Sequence, residues 1–187
     1  MEKITWRGGA MLAPLPVCLV TCKDGEKENV FTVAWTGILN TIPAKTYIAV
    51  RKERFSYDLI KNSKEFVLNL TTEALARATD FCGVRSGKDM DKFKEMNLTT
   101  QNATEVNCPL LSDSPVNLEC RVTDIVELGS HDMFIADIVA VDVAKDLVDE
   151  NEKLHLDKAN LIAYSHGEYF KLGEKIGKFG YTVKKEK

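Results

Sequence analysis

The chain has no apolar run approaching the ~18 residues of a membrane span. Its first residues, Met1-Glu2-Lys3-Ile4-Thr5-Trp6-Arg7, have no apolar core, so they do not read as a secretory signal. The expectation is a cytoplasmic protein, and the sequons at Asn69, Asn97 and Asn102 are then coincidental. A basic footprint is also missing: the net charge of -3 argues against nucleic acid as a partner. Five cysteines are present, an odd number without compact pair spacing. Cys18 and Cys22 would lie about 13 Å apart in one extended strand, beyond the reach of a disulfide. Reduced thiols are expected, with Cys82 and Cys120 buried. His131, His155 and His166 form no metal pattern with them.

Several catalytic signatures are missing too. No Gly-x-Gly-x-x-Gly stands between a strand and a helix, which excludes the usual dinucleotide fingerprint. Gly173-Glu174-Lys175-Ile176-Gly177-Lys178-Phe179 is one residue short of a phosphate loop. It also has Phe179 where a magnesium-binding hydroxyl is needed. Ser165-His166 has no nucleophile elbow around it, so a hydrolase triad is unsupported.

What is present is a strand-rich chain of 187 residues, 44% hydrophobic and 28% charged, expected to form one domain. Residues 1–10 read as a loosely attached lead, and 173–187 as a Lys- and Gly-rich tail. Val17–Cys22 reads as a first strand. A polar turn at 23–28 leads to a strand over 29–39, in which Phe31, Val33 and Trp35 share one face and Thr32, Ala34 and Thr36 the other. Tyr47–Val50 and Glu65–Leu70 read as strands three and four. Between them Ser56 is placed as the N-cap of a helix over 57–62. Thr72 is placed as the cap of a helix over 73–81 that Gly83 stops, and a third short helix is expected over 90–96. Residues 97–113 read as an irregular connection. Long strands over 116–128 and 133–145 flank a turn at Gly129-Ser130-His131-Asp132, and short strands over 159–164 and 168–171 close the pattern. No internal repeat is visible, and strand and long helix do not alternate regularly. A closed or nearly closed antiparallel barrel would hide the edges of so many strands.

Four stretches together resemble the flavin reductase-like, flavoredoxin-type family. They are Pro16–Cys22 with Asn29 and Ala34-Trp35-Thr36; Arg51–Ser56 running into Glu65–Leu70; Gly83–Phe93; and Leu118-Glu119-Cys120 with Gly129–Asp137. They cover roughly 11–172. The resemblance implies a mainly β fold, the antiparallel Greek-key split barrel with short inserted helices. It also implies a homodimer with one FMN per subunit near the interface. Members of this family include NAD(P)H-dependent flavin reductases, ferric reductases and proteins that only shuttle electrons. Oxidoreductase, carrier and a barrel that has lost its flavin are therefore all in play.

The residues suit such a ligand. Arg51, Arg54 and Lys92 are cations available to a phosphate, although a charge run such as 51–54 also suits a solvated turn. Ser56 adds a hydroxyl at a helix start. By resemblance, Asn29, Val33, Ala34, Trp35 and Thr36 fall where ring and ribityl are wrapped, with main-chain amides among the ligands. Trp35 is placed either beside the flavin or inside the barrel. His131 matches a position near the flavin, and Tyr164 either borders the site or packs in the core.

Overall fold

The computed structural model describes residues 1–183. The entering strands are β1 (Leu15–Pro16), β2 (Cys18–Asp24) and β3 (Lys27–Val33). The turn between β2 and β3 is only Gly25-Glu26, and Gly25 takes a φ of 59°, a conformation glycine adopts without steric cost. A second hairpin joins β4 (Thr36–Thr41) to β5 (Ala44–Val50). Then come α1 (Phe55–Ser63), β6 (Glu65–Leu70), α2 (Ala76–Val84), α3 (Lys92–Glu95), β7 (Thr100–Gln101) and β8 (Leu110–Leu111). The long hairpin of β9 (Val116–Glu127) and β10 (Asp132–Val143) precedes β11 (Ile162–Ser165) and β12 (Glu168–Lys171).

Seven strands make one antiparallel sheet in the order β3-β2-β6-β9-β10-β5-β4. β3 and β4 lie at its opposite edges, yet only Ala34 and Trp35 join them. A sheet whose two edges are linked by two residues has to curl so that those edges come together at that end without pairing along their length, which makes it a split barrel. The Ala49 N–H of β5 donates to Trp35 O at 2.9 Å, which extends the β4–β5 ladder up to that link. A smaller sheet, β1-β11-β12, packs beside it. Val17, Ala34 and Ile162 are buried together there, with Tyr164 and Tyr169 against them.

The single strand expected over 29–39 is therefore two strands. Phe31 and Val33 do share the barrel interior, with Val20, Ile48, Phe66 and Phe134. Trp35 does not join them. The chain leaves β3 at Val33, and Trp35 stands 42% exposed. β2 is buried over Cys18–Cys22, apolar except for Thr21, because both of its faces are covered. Val20 points into the barrel, and Leu19 packs under α2 with Val30, Leu75 and Cys82.

Helix boundaries differ from the sequence reading, and α3 covers only Lys92–Glu95 of the expected 90–96. Arg54, not Ser56, is the N-cap of α1, and no side chain caps it. Ser56 lies inside the first turn with its hydroxyl buried. Thr72 accepts the Leu75 N–H at 3.4 Å, but the helix begins only at Ala76. Gly83 lies within α2 instead of stopping it, because its bare Cα lets the helix sit on Thr32 of β3. The connection over 97–113 is pinned in part by Asn69. This side chain donates to Leu19 O at 2.8 Å and accepts from Leu111 N at 3.0 Å and Asn117 Nδ2 at 2.7 Å. All five cysteines are free and buried. The lead, residues 1–14, is exposed and without regular structure. Of the tail, Tyr181–Val183 form one short turn, and residues 184–187 lie outside the described residues. Among the described residues no helix is long and apolar enough to cross a membrane.

Candidate functional site

Two cavities adjoin where the barrel seam meets α1 and the end of α2. One, of about 260 Å³, is lined by Val33, Ala34 and Trp35, by Val50 of β5, and by His131 and Tyr164. The other, of about 390 Å³, is lined by Asn29, Ser56, Lys92, Arg85, Ser86 and Gly87. Phe31, Arg51 and Arg54 border both, so the two form one elongated site with an aromatic end and a cationic end.

At the cationic end the first turn of α1 opens toward the cavity. With no side chain capping it, the amides of Phe55 and Ser56 are available to an anion, and the helix dipole favours one. The Ser56 hydroxyl accepts the Asn29 Nδ2–H at 2.7 Å, which ties β3 to α1. Lys92 starts α3 and is only 2% exposed. Its ammonium donates to Cys82 O at 3.2 Å and Arg85 O at 3.3 Å, carbonyls at the end of α2. No carboxylate pairs with it among the described residues. Burial pulls its pKa down to about 8; nearby Cys82 opposes this and Arg54 adds to it. The arrangement is a buried cation with two neutral acceptors and a third N–H to spare, beside a helix start. Its chemistry suits a phosphate group. Arg54 is held by Gly83 O at 2.9 Å, while exposed Arg51 pairs among the described residues with Glu53, at 3.3 Å.

At the aromatic end the Trp35 and His131 rings are parallel to within 2°, with centroids 6.3 Å apart. Tyr164 is tilted 51° to Trp35 at 6.4 Å and packs edge-on against Tyr169 at 5.8 Å. Burial, then Arg51, lowers the His131 pKa below its usual value, so the ring is neutral at pH 7. A flat, polarisable group fits among these faces.

Ten of the eleven residues expected at the site line one cavity or the other. The exception is Thr36: it lines neither and turns its hydroxyl into the sheet to donate to Tyr47 O. Sequence reasoning missed Phe31, Val50, Arg85, Gly87 and Tyr169. Arg85 and Gly87 lie in the Gly83–Phe93 stretch, whose turn residues were a usable signal. Phe31 and Val50 look like any barrel residues.

A family model, the flavin reductase like domain, matches residues 11–173. The chain belongs to this family. Its fold follows that of the flavoredoxin of Desulfovibrio vulgaris (Miyazaki F), with a TM-score of 0.90, 25% identity, and 98% of this chain and 100% of that one covered. An uncharacterized protein of Pyrococcus abyssi is 28% identical over 170 residues, which is 90% of this chain and 96% of that protein. An NADPH-flavin oxidoreductase of Streptomyces viridifaciens is 27% identical over 153 residues, 80% of this chain and 78% of that protein.

Proposed function

We propose that the chain is an FMN-binding oxidoreductase of flavin reductase-like type, passing electrons from a donor such as NAD(P)H to an acceptor. The observation that carries this is Lys92: a buried ammonium with no carboxylate partner among the described residues, lining the same cavity as the start of α1 and adjoining the aromatic cluster. A single phosphate completes that site, which favours a mononucleotide over FAD. Bound FMN would supply the redox chemistry, taking up a hydride or electrons at its ring and releasing them. The protein's share is binding and orientation. Lys92, Arg54, Arg51, Arg85 and the α1 amides hold the anionic end. Val33 and Ala34 give the ring a close apolar wall. Neutral His131 with Trp35 and Tyr164 shapes the face from which a donor would approach. A pyridine nucleotide would stack on the open flavin face, at about 3–3.5 Å for hydride transfer.

Denaturing the purified protein and chromatographing the released chromophore should yield FMN, close to one per chain. Protein incubated with FMN that retains no stoichiometric flavin overturns the assignment. Anaerobic mixing with NADH and NADPH, followed at the flavin band, should bleach the flavin rapidly with one of them. A second reading, an electron carrier between proteins, is favoured by the full-length likeness to a flavoredoxin and by the exposed Trp35 at the cavity mouth. Bleaching by dithionite but by neither nucleotide would select the carrier.

The assembly expected with this function is a homodimer. Edge strand β4 presents Ile38 and Leu39, and the turn after it Ile42, at 65%, 46% and 90% exposure. Bare edges and apolar side chains of this kind are commonly buried by pairing. Light scattering at micromolar concentration should return about twice the 20.9 kDa chain mass. A monodisperse monomer with full flavin content would remove the partner from the site.

A further inference from the structure

Behind the site, Tyr57 and Asp132 meet. Tyr57 is the third residue of α1, and Asp132 is the first of β10, next to His131. The Tyr57 hydroxyl donates to Asp132 Oδ2 at 2.6 Å. Both side chains are buried, 5% and 1% exposed. The Tyr57 ring packs edge-on against Phe134 at 5.3 Å, and the bond to Asp132 pushes the tyrosine pKa up to about 12. Lys52 stands 3.4 Å from the same Asp132 oxygen but leans equally on exposed Glu127, at 3.1 Å. Asp132 Oδ1 has no partner among the described residues.

Burying a carboxylate costs free energy that incomplete pairing does not recover. Packing beside Phe134 alone would be served better by an apolar residue, so the hydrogen bond calls for another reason. Its location offers one. On the α1 side, Ser56 is the neighbour of Tyr57 and holds Asn29 in the cationic cavity. On the β10 side, the turn 128–131 is held by little else. Leu128 and Ser130 are exposed, Gly129 sits at a φ of 99°, and the turn's own closure is one main-chain bond from Leu128 N to His131 O at 3.1 Å and one exposed side-chain bond between Ser130 Oγ and His131 Nδ1 at 3.0 Å. Asp132 is the nearest buried anchor of that turn, paired through its main chain with Val50 of β5 and Glu127 of β9.

We propose that Tyr57 and Asp132 are positioning residues: their hydrogen bond fixes the first turn of α1 to the His131 turn and so holds the His131 ring in the aromatic cavity. The effect on electron transfer rests on the flavin reading above. The effect on His131 does not.

The test is an NMR titration of the His131 ring in FMN-incubated wild type, Tyr57→Phe and Asp132→Asn, together with the anaerobic rate of flavin reduction. In Tyr57→Phe the His131 midpoint should rise by about half a pH unit or more as the ring leaves its buried setting. Flavin reduction should slow on the order of fivefold, with flavin content unchanged. Asp132→Asn keeps an acceptor for the phenol and should hold the wild-type midpoint. An unchanged midpoint in Tyr57→Phe overturns the proposal, and so does a midpoint displaced equally in both variants. If Tyr57→Phe does not fold, Asp132→Ala carries the same expectation and the same refutation. A protein that takes up no flavin but shows the midpoint shift refutes the flavin reading and leaves the positioning intact.

Discussion

Replacing Lys92 with alanine is expected to weaken FMN binding by about 1.5–3 kcal/mol, roughly 10- to 150-fold, while riboflavin binding stays nearly unchanged. The ammonium is buried, and its two hydrogen bonds go to carbonyls instead of a counter-charge. A phosphate adds that counter-charge where water is scarce, so the contact is stronger than a surface ion pair. Riboflavin has no phosphate and cannot draw on it. Fluorescence titration of both flavins against both proteins measures the difference directly. Equal losses for the two ligands would mean that Lys92 acts by tying α3 to α2.

The same residue sets a pH dependence. Its pKa falls from 10.5 to about 8 in the folded protein. The unfolded chain therefore holds this proton more tightly. The charged lysine opposes folding below pH 8, and that penalty is relieved as the pH rises from about 8 to about 10.5. A bound phosphate reverses the preference by favouring the ammonium. Above pH 8 the free protein has to take up a proton to bind FMN, so affinity should fall with rising pH, by up to about tenfold per unit. The phosphate is already a dianion there, its second pKa being about 6. The Lys92→Ala profile should be flat over this range, and so should the riboflavin profile of the wild type. A wild-type FMN profile that is flat from pH 7.5 to 9.5 would detach the lysine proton from ligand binding.

How far the sequence carried this picture can be judged from single residues. β2, β3, β6, β9 and β10 were legible because their burial follows local composition, and the turns between hairpin partners hold Gly25 and Gly129. The break at Ala34-Trp35 was not legible. Val33-Ala34-Trp35-Thr36 keeps its apolar, strand-like character across the seam, and only closure of the sheet decides that the chain changes edges there. Ser56 lines the cationic cavity but does not cap α1. Its hydroxyl was read as a helix cap, but it is used by Asn29, 27 positions earlier in the chain. Lys92 was read as a cation in a family-like stretch, but its burial against the Cys82 and Arg85 carbonyls at the end of α2 is set by tertiary packing. Thr36 was carried over with its neighbours and belongs to the sheet. Gly87 passed as one more turn glycine, because what makes it special is the distance to a side chain far away in sequence.

Replacing Gly87 with alanine is expected to cost about 1–3 kcal/mol of stability and to weaken FMN roughly tenfold or more, out of proportion to one added methyl group. A Cβ at this position would stand 2.3 Å from Asn29 Oδ1 and 2.8 Å from the Phe55 ring. Gly87 is not among the residues with positive φ, so the constraint is space and not backbone conformation. Neither neighbour gives way cheaply. Asn29 is 4% exposed and bound through Nδ2 to Ser56, and Phe55 begins α1. Either the 85–89 turn lifts off, taking Arg85 and Ser86 out of the cationic cavity, or Asn29 rotates and releases Ser56 at the helix start. Both routes damage the anion end and leave Trp35, His131 and Tyr164 where they are. Riboflavin affinity should therefore hold within about twofold, while FMN affinity and the unfolding temperature fall together. Lys88→Ala in the same exposed turn is the control, expected within about 0.5 kcal/mol of wild type. If Gly87→Ala keeps wild-type FMN affinity, the close packing of this turn on Asn29 does not shape the anion end. If it loses riboflavin as severely as FMN, the damage has spread along the seam and the two ends of the cavity are not separable.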